Sequence, residues 1–220
     1  LAIPYRGTDD LDRAGVALNP EQVKLLKIDN TEGRISRALI DHGVALIVGA
    51  KDGDLRTFAA NAIRAAADAP LVFDARGYSA EEVSMLVEGA LLGGKTPTAF
   101  KSSGEHNFHG VQIWADQSVD VSATVDLAHE VVWARELINT PANELYPESF
   151  AARVLERATG LGVDVEVWDV ERLTKEECGG ILAVGKGSTR PPRLVKLTYD
   201  GGGAHLGFAG KGITFDTGGL

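Results

Sequence analysis

The feature that most constrains this chain is a rhythm. Short apolar runs of strand length alternate with longer segments of helical period. GVALIVGA (43–50) reads as a buried strand ending at a glycine turn, and LRTFAANAIRAAADA (55–69) as an alanine-rich helix. PLVFDA (70–75) is a second short strand. SAEEVSMLVEGALLGG (79–94) has Ser79 as N-cap, acids in its first turn and a Gly-Gly stop. GVQIWAD (110–116) is a strand again. This β-α-β-α-β order predicts an α/β fold whose N-terminal domain carries a sheet with at least some parallel pairing.

The segment 94–109, rich in Gly, Ser and Thr, reads as a surface loop. Beyond it, Val121, Val125, Ala128 and Val132 repeat at helical spacing within 120–138, and Pro141 stops that helix near Asn139. Pro147 opens another helix, with Gly160 as its C-cap residue. VDVEVWDV (163–170) alternates as a strand does, and CGGILAVGKGS, RLVKLTYD and HLGFAG supply three further strand-like runs. The domain expectation is therefore 1–119 as an N-terminal α/β domain, 120–138 as a linking helix, and 139–220 as part of a second α/β domain.

Composition narrows the function classes. The chain of 220 residues is 44% hydrophobic and 24% charged, as soluble globular proteins are, so disorder is not its dominant state. Its net charge of -9 argues against non-specific nucleic-acid binding, which needs a basic excess. One cysteine, Cys178, makes an internal disulfide framework impossible and reads as a small buried hydrophobe. No apolar run approaches the ~20 residues that span a bilayer. The chain opens on Leu1 rather than Met, so the lack of a signal segment carries little weight.

The candidate chemistry sits at GKGITFDTGGL (210–220). A lysine ligates a metal only as the neutral amine, and a nearby dication displaces its proton. Aspartate is a hard oxygen ligand that binds one metal or bridges two. Lys211 and Asp216 are five residues apart, roughly 16 Å if fully extended and on opposite faces, so serving one site requires the backbone to turn. Gly212 permits such a turn, while Gly218 and Gly219 let backbone approach a ligand closely. Spacing alone favours the plainer reading, a strand ending in a glycine turn with two solvated charges. Elsewhere, Gly180 to Lys186 matches the core of a phosphate-binding loop, but Gly187 stands where the motif needs Ser or Thr, and a buried strand with a Gly turn is the better reading. His106 and His109 lack a Cys or carboxylate to complete a metal set, His42, His129 and His205 are scattered, and no nucleophile elbow is present.

Three motifs in fixed order change the weighting: WARELINTPANELYPESFA (133–151), CGGILAVGKGSTRPPRLVKLTYDG (178–201) and GFAGKGITFDTGGL (207–220). Together they resemble the zinc- or manganese-dependent leucyl (cytosol) aminopeptidase family, specifically over 133–220 and more weakly before it. The resemblance implies an N-terminal α/β domain, a linking helix and the start of a C-terminal α/β metallopeptidase domain holding two divalent cations, Zn²⁺ or Mn²⁺. It makes Lys211 a ligand of one metal and Asp216 a bridging ligand. Thr217 stands where the family has Ser, and Cys178 where Met is common; both changes are minor. The family's remaining ligands and its catalytic arginine are expected beyond Leu220, so no catalytic residue is expected within this chain, which alone should not hold both metals tightly. The implied activity is release of N-terminal residues from peptides, with leucine-type preference, in the cytoplasm and as a hexamer. The alternative is a non-catalytic binding or regulatory module for nucleic acid or a nucleotide-like ligand.

Overall fold

The computed structural model describes residues 1–41, 43–50, 54–66, 69–95 and 110–215. The chain divides into two compact units, Leu1–Ile138 and Asn139–Leu220.

The first unit is built on a five-stranded mixed sheet of order β2-β3-β1-β4-β5. Its strands are β1 (Ala2–Tyr5), β2 (Ile35–Ile40), β3 (Gly43–Gly49), β4 (Leu71–Asp74) and β5 (Val111–Trp114). β1 runs parallel to β3 and β4, β4 runs parallel to β5, and β2 is antiparallel to β3. Apolar residues on both faces of the inner strands dictate a layer on each side. Leu46 and Val48 of β3 join one core with Ala2, Leu71 and Phe73; Ala45 and Ile47 join the other with Ile3 and Tyr5. The first core is closed by α3 (Leu55–Ala66) and α4 (Ala80–Gly94), and Phe58 meets Phe73 edge-on with ring centres 5.6 Å apart. The second is closed by α1 (Thr8–Arg13), α2 (Pro20–Leu25) and the segments around them, through Leu11, Val16 and Ile28.

β1 is a central strand that contains a proline, which normally argues against such a place. The carbonyls of Leu1 and Tyr5 accept from the amides of Leu46 (2.7 Å) and Ala50 (3.0 Å), so the odd residues of β1 bond toward β3. Pro4 therefore faces β4, and there the pairing is confined to Ala2 with Phe73. The missing N–H falls on the side of the strand that makes little ladder.

α3 and α4 cross closely because α4 presents glycine. A Cβ on Gly89 would lie 2.2 Å from the Arg56 carbonyl oxygen, and one on Gly93 would lie 2.5 Å from the Ala60 Cα. Ser79 caps α4 as expected, accepting from the Glu82 amide while Glu82 accepts from its own. The helix ends at the predicted Gly-Gly stop, with Gly93 and Gly94 in its last turn. α5 (Ser122–Asn139) buries Ala128 and Val132 of the predicted stripe and half-buries Val125, while Val121, also half-buried, precedes the helix. Most of the expected 94–109 loop, including His106 and His109, lies outside the described residues, as does His42.

The second unit contains α6 (Pro147–Ala158), β6 (Asp164–Trp168), α7 (Val170–Lys175), α8 (Gly179–Gly185) and β7 (Leu194–Thr198), with β6 and β7 forming a two-stranded antiparallel sheet. α6 begins at Pro147, and Gly160 follows it with φ 81°, the left-handed position that favours glycine. Three expectations fail here. CGGILAVGKGS is a short helix, not a buried strand, because an apolar run of four residues cannot distinguish the two states by period. That helix leaves no phosphate-binding loop between Gly180 and Lys186. HLGFAG is irregular and exposed rather than a strand. Cys178 is half-exposed just before α8, its Sγ 3.7 Å from the Glu176 carbonyl oxygen, rather than buried.

Candidate metal centre

The segment carrying Lys211 is irregular from Leu206 to Phe215, without the ladder bonds of a strand. Lys211 is exposed, and among the described residues its amine has no hydrogen-bond or ion-pair partner. Asp216 lies outside the described residues, and so do Thr217, Gly218 and Gly219. Among the described residues after β7 the left-handed glycines are Gly202 (φ 76°) and Gly203 (φ 90°).

Lys211 stands on the wall of an open hollow of about 600 Å³. Tyr146 and Phe150 line it from the start of α6, Val184 from α8, Pro192 from the stretch before β7, and Ile213 from Lys211's own segment. The contact that seats this segment is apolar: a Cβ on Gly212 would lie 3.6 Å from the Phe150 ring, ordinary van der Waals distance. Among the described residues that line the hollow there is no carboxylate, while Arg190, Arg193 and Lys211 are present. Nor do the described residues contain a group of three or more His, Cys, Asp or Glu able to hold a metal.

The hollow's polar groups are held by local bonds. Arg190 donates to the carbonyls of Asn143 (2.9 Å) and Ala142 (3.3 Å), and its guanidinium carbon lies 4.0 Å from the Tyr146 ring centre. Arg193 donates to the Pro192 carbonyl at 3.0 Å. The loop before α6 is itself tied, since the amides of Glu144 and Leu145 both donate to the Pro141 carbonyl. Ser149 closes it by accepting from the Tyr146 amide at 2.9 Å. Sequence reading missed Arg190, Tyr146 and Phe150, because each acts through contacts from distant stretches of chain. The usable signal was the Arg-Pro-Pro spelling at 190–192, which fixes an extended arginine.

The profile of the cytosol aminopeptidase family, catalytic domain, matches residues 132–220. A "Probable cytosol aminopeptidase" of Tropheryma whipplei is 34% identical over 229 residues, which cover 98% of this chain and 44% of that protein. The chain belongs to the cytosol aminopeptidase family. A relative of the same name from Corynebacterium diphtheriae is 34% identical over 248 residues, covering 100% of this chain and 49% of that one. The chain thus spans about half the length of the curated family members it matches.

Solved structures agree on the architecture. The bottromycin maturation enzyme BotP, in complex with Mn, aligns with a TM-score of 0.72 at 30% identity, over 84% of this chain and 43% of its own. A tomato leucine aminopeptidase mutant aligns with a TM-score of 0.78 at 20% identity, over 98% of this chain and 49% of its own, a likeness of fold. The mixed α/β architecture of this chain is that of the family.

Proposed function

We propose that this protein is a metal-dependent aminopeptidase that releases N-terminal residues, leucine among those preferred, from peptides. The observation that carries the reading is the family match over 132–220, which contains both Lys211 and Asp216 in GKGITFD. In this reading 1–119 is an assembly and packing domain, 120–138 a linking helix, and 139–220 part of the catalytic domain.

The donor types fit a pair of cations such as Zn²⁺ or Mn²⁺. A neutral amine nitrogen suits a borderline metal and a carboxylate a hard one. Lys211 fits further because its amine is exposed and has no partner among the described residues, so no existing bond has to break for it to ligate. Two donors do not complete two coordination shells, so Lys211 and Asp216 are part of the ligand set. BotP, the structural relative at 30% identity, was solved with Mn, which supports the choice of metal. When bound, such a pair supplies Lewis acidity toward the scissile carbonyl and lowers the pKa of a water. The chain's own contribution is to carry Lys211 and Asp216 on one glycine-rich segment, in which Gly212 sits against the Phe150 ring. The same reading makes the protein a cytoplasmic hexamer, on the ground of family resemblance.

The test is Asp216→Ala and Lys211→Ala in the intact protein, assayed on leucyl-amide with added Mn²⁺ or Zn²⁺. Each is expected to lower activity by more than the roughly 10–100-fold that loss of an outer-shell partner costs. Near-normal turnover in either variant would overturn that residue's assignment.

A further inference from the structure

We infer that Arg190 is a positioning residue: it latches the 140–146 loop to the stretch after α8 and so sets the walls of the hollow in which Lys211 stands.

The geometry is specific to an arginine. One face of the guanidinium lies over the Tyr146 ring, and Nη1 is shared between two backbone carbonyls of the loop, at 2.9 Å and 3.3 Å. Arg190 makes no ion pair among the described residues, so its charge is spent on that ring and those carbonyls. Its own backbone is stiff: its amide donates to Ser188 Oγ at 3.0 Å, and Pro191 behind it restricts it to extended conformations. Pro192 then abuts the end of α8, where a Cβ on Gly185 would lie 2.7 Å from the Pro192 ring. Arg190 through its side chain and Pro192 through its ring thereby join the loop, the end of α8 and the approach to β7, three sides of the hollow.

The fourth side is the Lys211 segment, and it is reached through Tyr146. The Tyr146 carbonyl accepts from the Phe150 amide at 2.8 Å, and Phe150 is the residue against which Gly212 sits. A shift of Tyr146 moves that ring and so moves the seat of Lys211. Lysine at 190 would keep the charge but lose the guanidinium that lies over the Tyr146 ring.

The experiment uses the intact protein labelled at isoleucine methyls, with Arg190→Lys and Tyr146→Leu as separate variants and as a pair. Ile181 and Ile213 both line the hollow and report on it. Without metal, each variant is expected to stay folded and to shift the Ile213 methyl resonance. Amide exchange at Leu145 and Phe150 should rise about tenfold. The pair should do no more than the stronger single, because both remove one latch. An unmoved Ile213 resonance in a folded Arg190→Lys protein overturns the inference. So does an exchange rise confined to the loop, with Ile213 unchanged. The last arm rests on the proposed metal role: Mn²⁺ should broaden Ile213 in the unsubstituted protein, with affinity several-fold weaker in Arg190→Lys. Absence of broadening in the unsubstituted protein would count against that metal role, while the metal-free spectra still decide the latch. Unaltered Mn²⁺ affinity in the variant would show that Arg190 does not position Lys211.

Discussion

The two units of this chain solve the burial problem to different degrees. The first wraps a five-stranded sheet with helices on both faces and buries Phe58, Phe73, Ile3 and Leu86 almost completely. In the second, the buried hydrophobics among the described residues are Leu145, Ala151, Ala158 and Leu173, while Phe208 is 95% and Leu206 80% exposed. A sheet apolar on both faces dictates its own covering layers. A two-stranded ribbon does not, since it offers too little face to bury much against. The candidate metal residue lies in the less consolidated unit, on an irregular segment whose recorded seat is the ring of Phe150. The proposed site would thus lie where packing constrains the backbone little, as loop-borne sites do.

The sharpest way to break this contrast is Phe58→Ala. Phe58 is buried in the first unit and packs edge-on against Phe73, so its removal should cost about 3–5 kcal/mol. The transition of the first unit, followed by near-ultraviolet dichroism during urea unfolding, measures it. A loss under about 1 kcal/mol would mean that this core is as loose as the second unit.

A smaller effect is expected at Asp74, which is buried at the end of β4. It accepts a fork from Arg76, Nε at 2.8 Å and Nη2 at 2.7 Å. Burial by itself would raise this carboxyl, but the hydrogen bonds and charge of Arg76 outweigh it and hold it below the usual carboxylate range. A depressed folded value means that the stabilisation is present above the ordinary value of about 3.9 and is lost as pH falls through the folded one. Asp74→Asn should therefore cost about 1–3 kcal/mol at pH 7. The gap between variant and parent should narrow below about pH 4. Urea unfolding at pH 7 and pH 3 tests this; an equal gap at both would remove the ion pair from the account.

The smallest effect should come from the second unit. Phe208→Ser removes a ring that is 95% exposed, so stability should change by no more than about 0.5 kcal/mol. Solubility should improve. A loss as large as that at Phe58 would show that Phe208 is covered in solution and would erase the contrast.

Legibility in the sequence followed the same division. β3, α3, β4, α4 and β5 were readable because burial on two faces writes continuous apolar runs and capped helices write Ser-x-x-Glu. β1 and β2 gave no comparable signal: β1 has four residues with Pro4 among them, and β2 mixes Arg37 and Ser36 into its alternation. In the second unit α6, β6 and β7 were equally readable, but two apolar runs, CGGILAVGKGS and HLGFAG, misled. Gly179 to Gly185 contains a β-like apolar run, yet it is helical, and Val184 is 73% exposed. Glycines at both ends weaken the local preference for either conformation, so tertiary contacts such as Pro192 against Gly185 bias the choice.

What the sequence determined alone was the α/β class, the main helices and strands of the first unit, and the chemistry on offer at Lys211 and Asp216, because period and residue type are local properties. What only the tertiary structure decided was the strand order that places Pro4 toward a nearly unpaired edge, the helical state of 179–185, and the placing of Arg190 over Tyr146. Each of these depends on contacts between residues far apart along the chain, whose energies exceed the few tenths of a kcal/mol by which local propensity separates the alternatives.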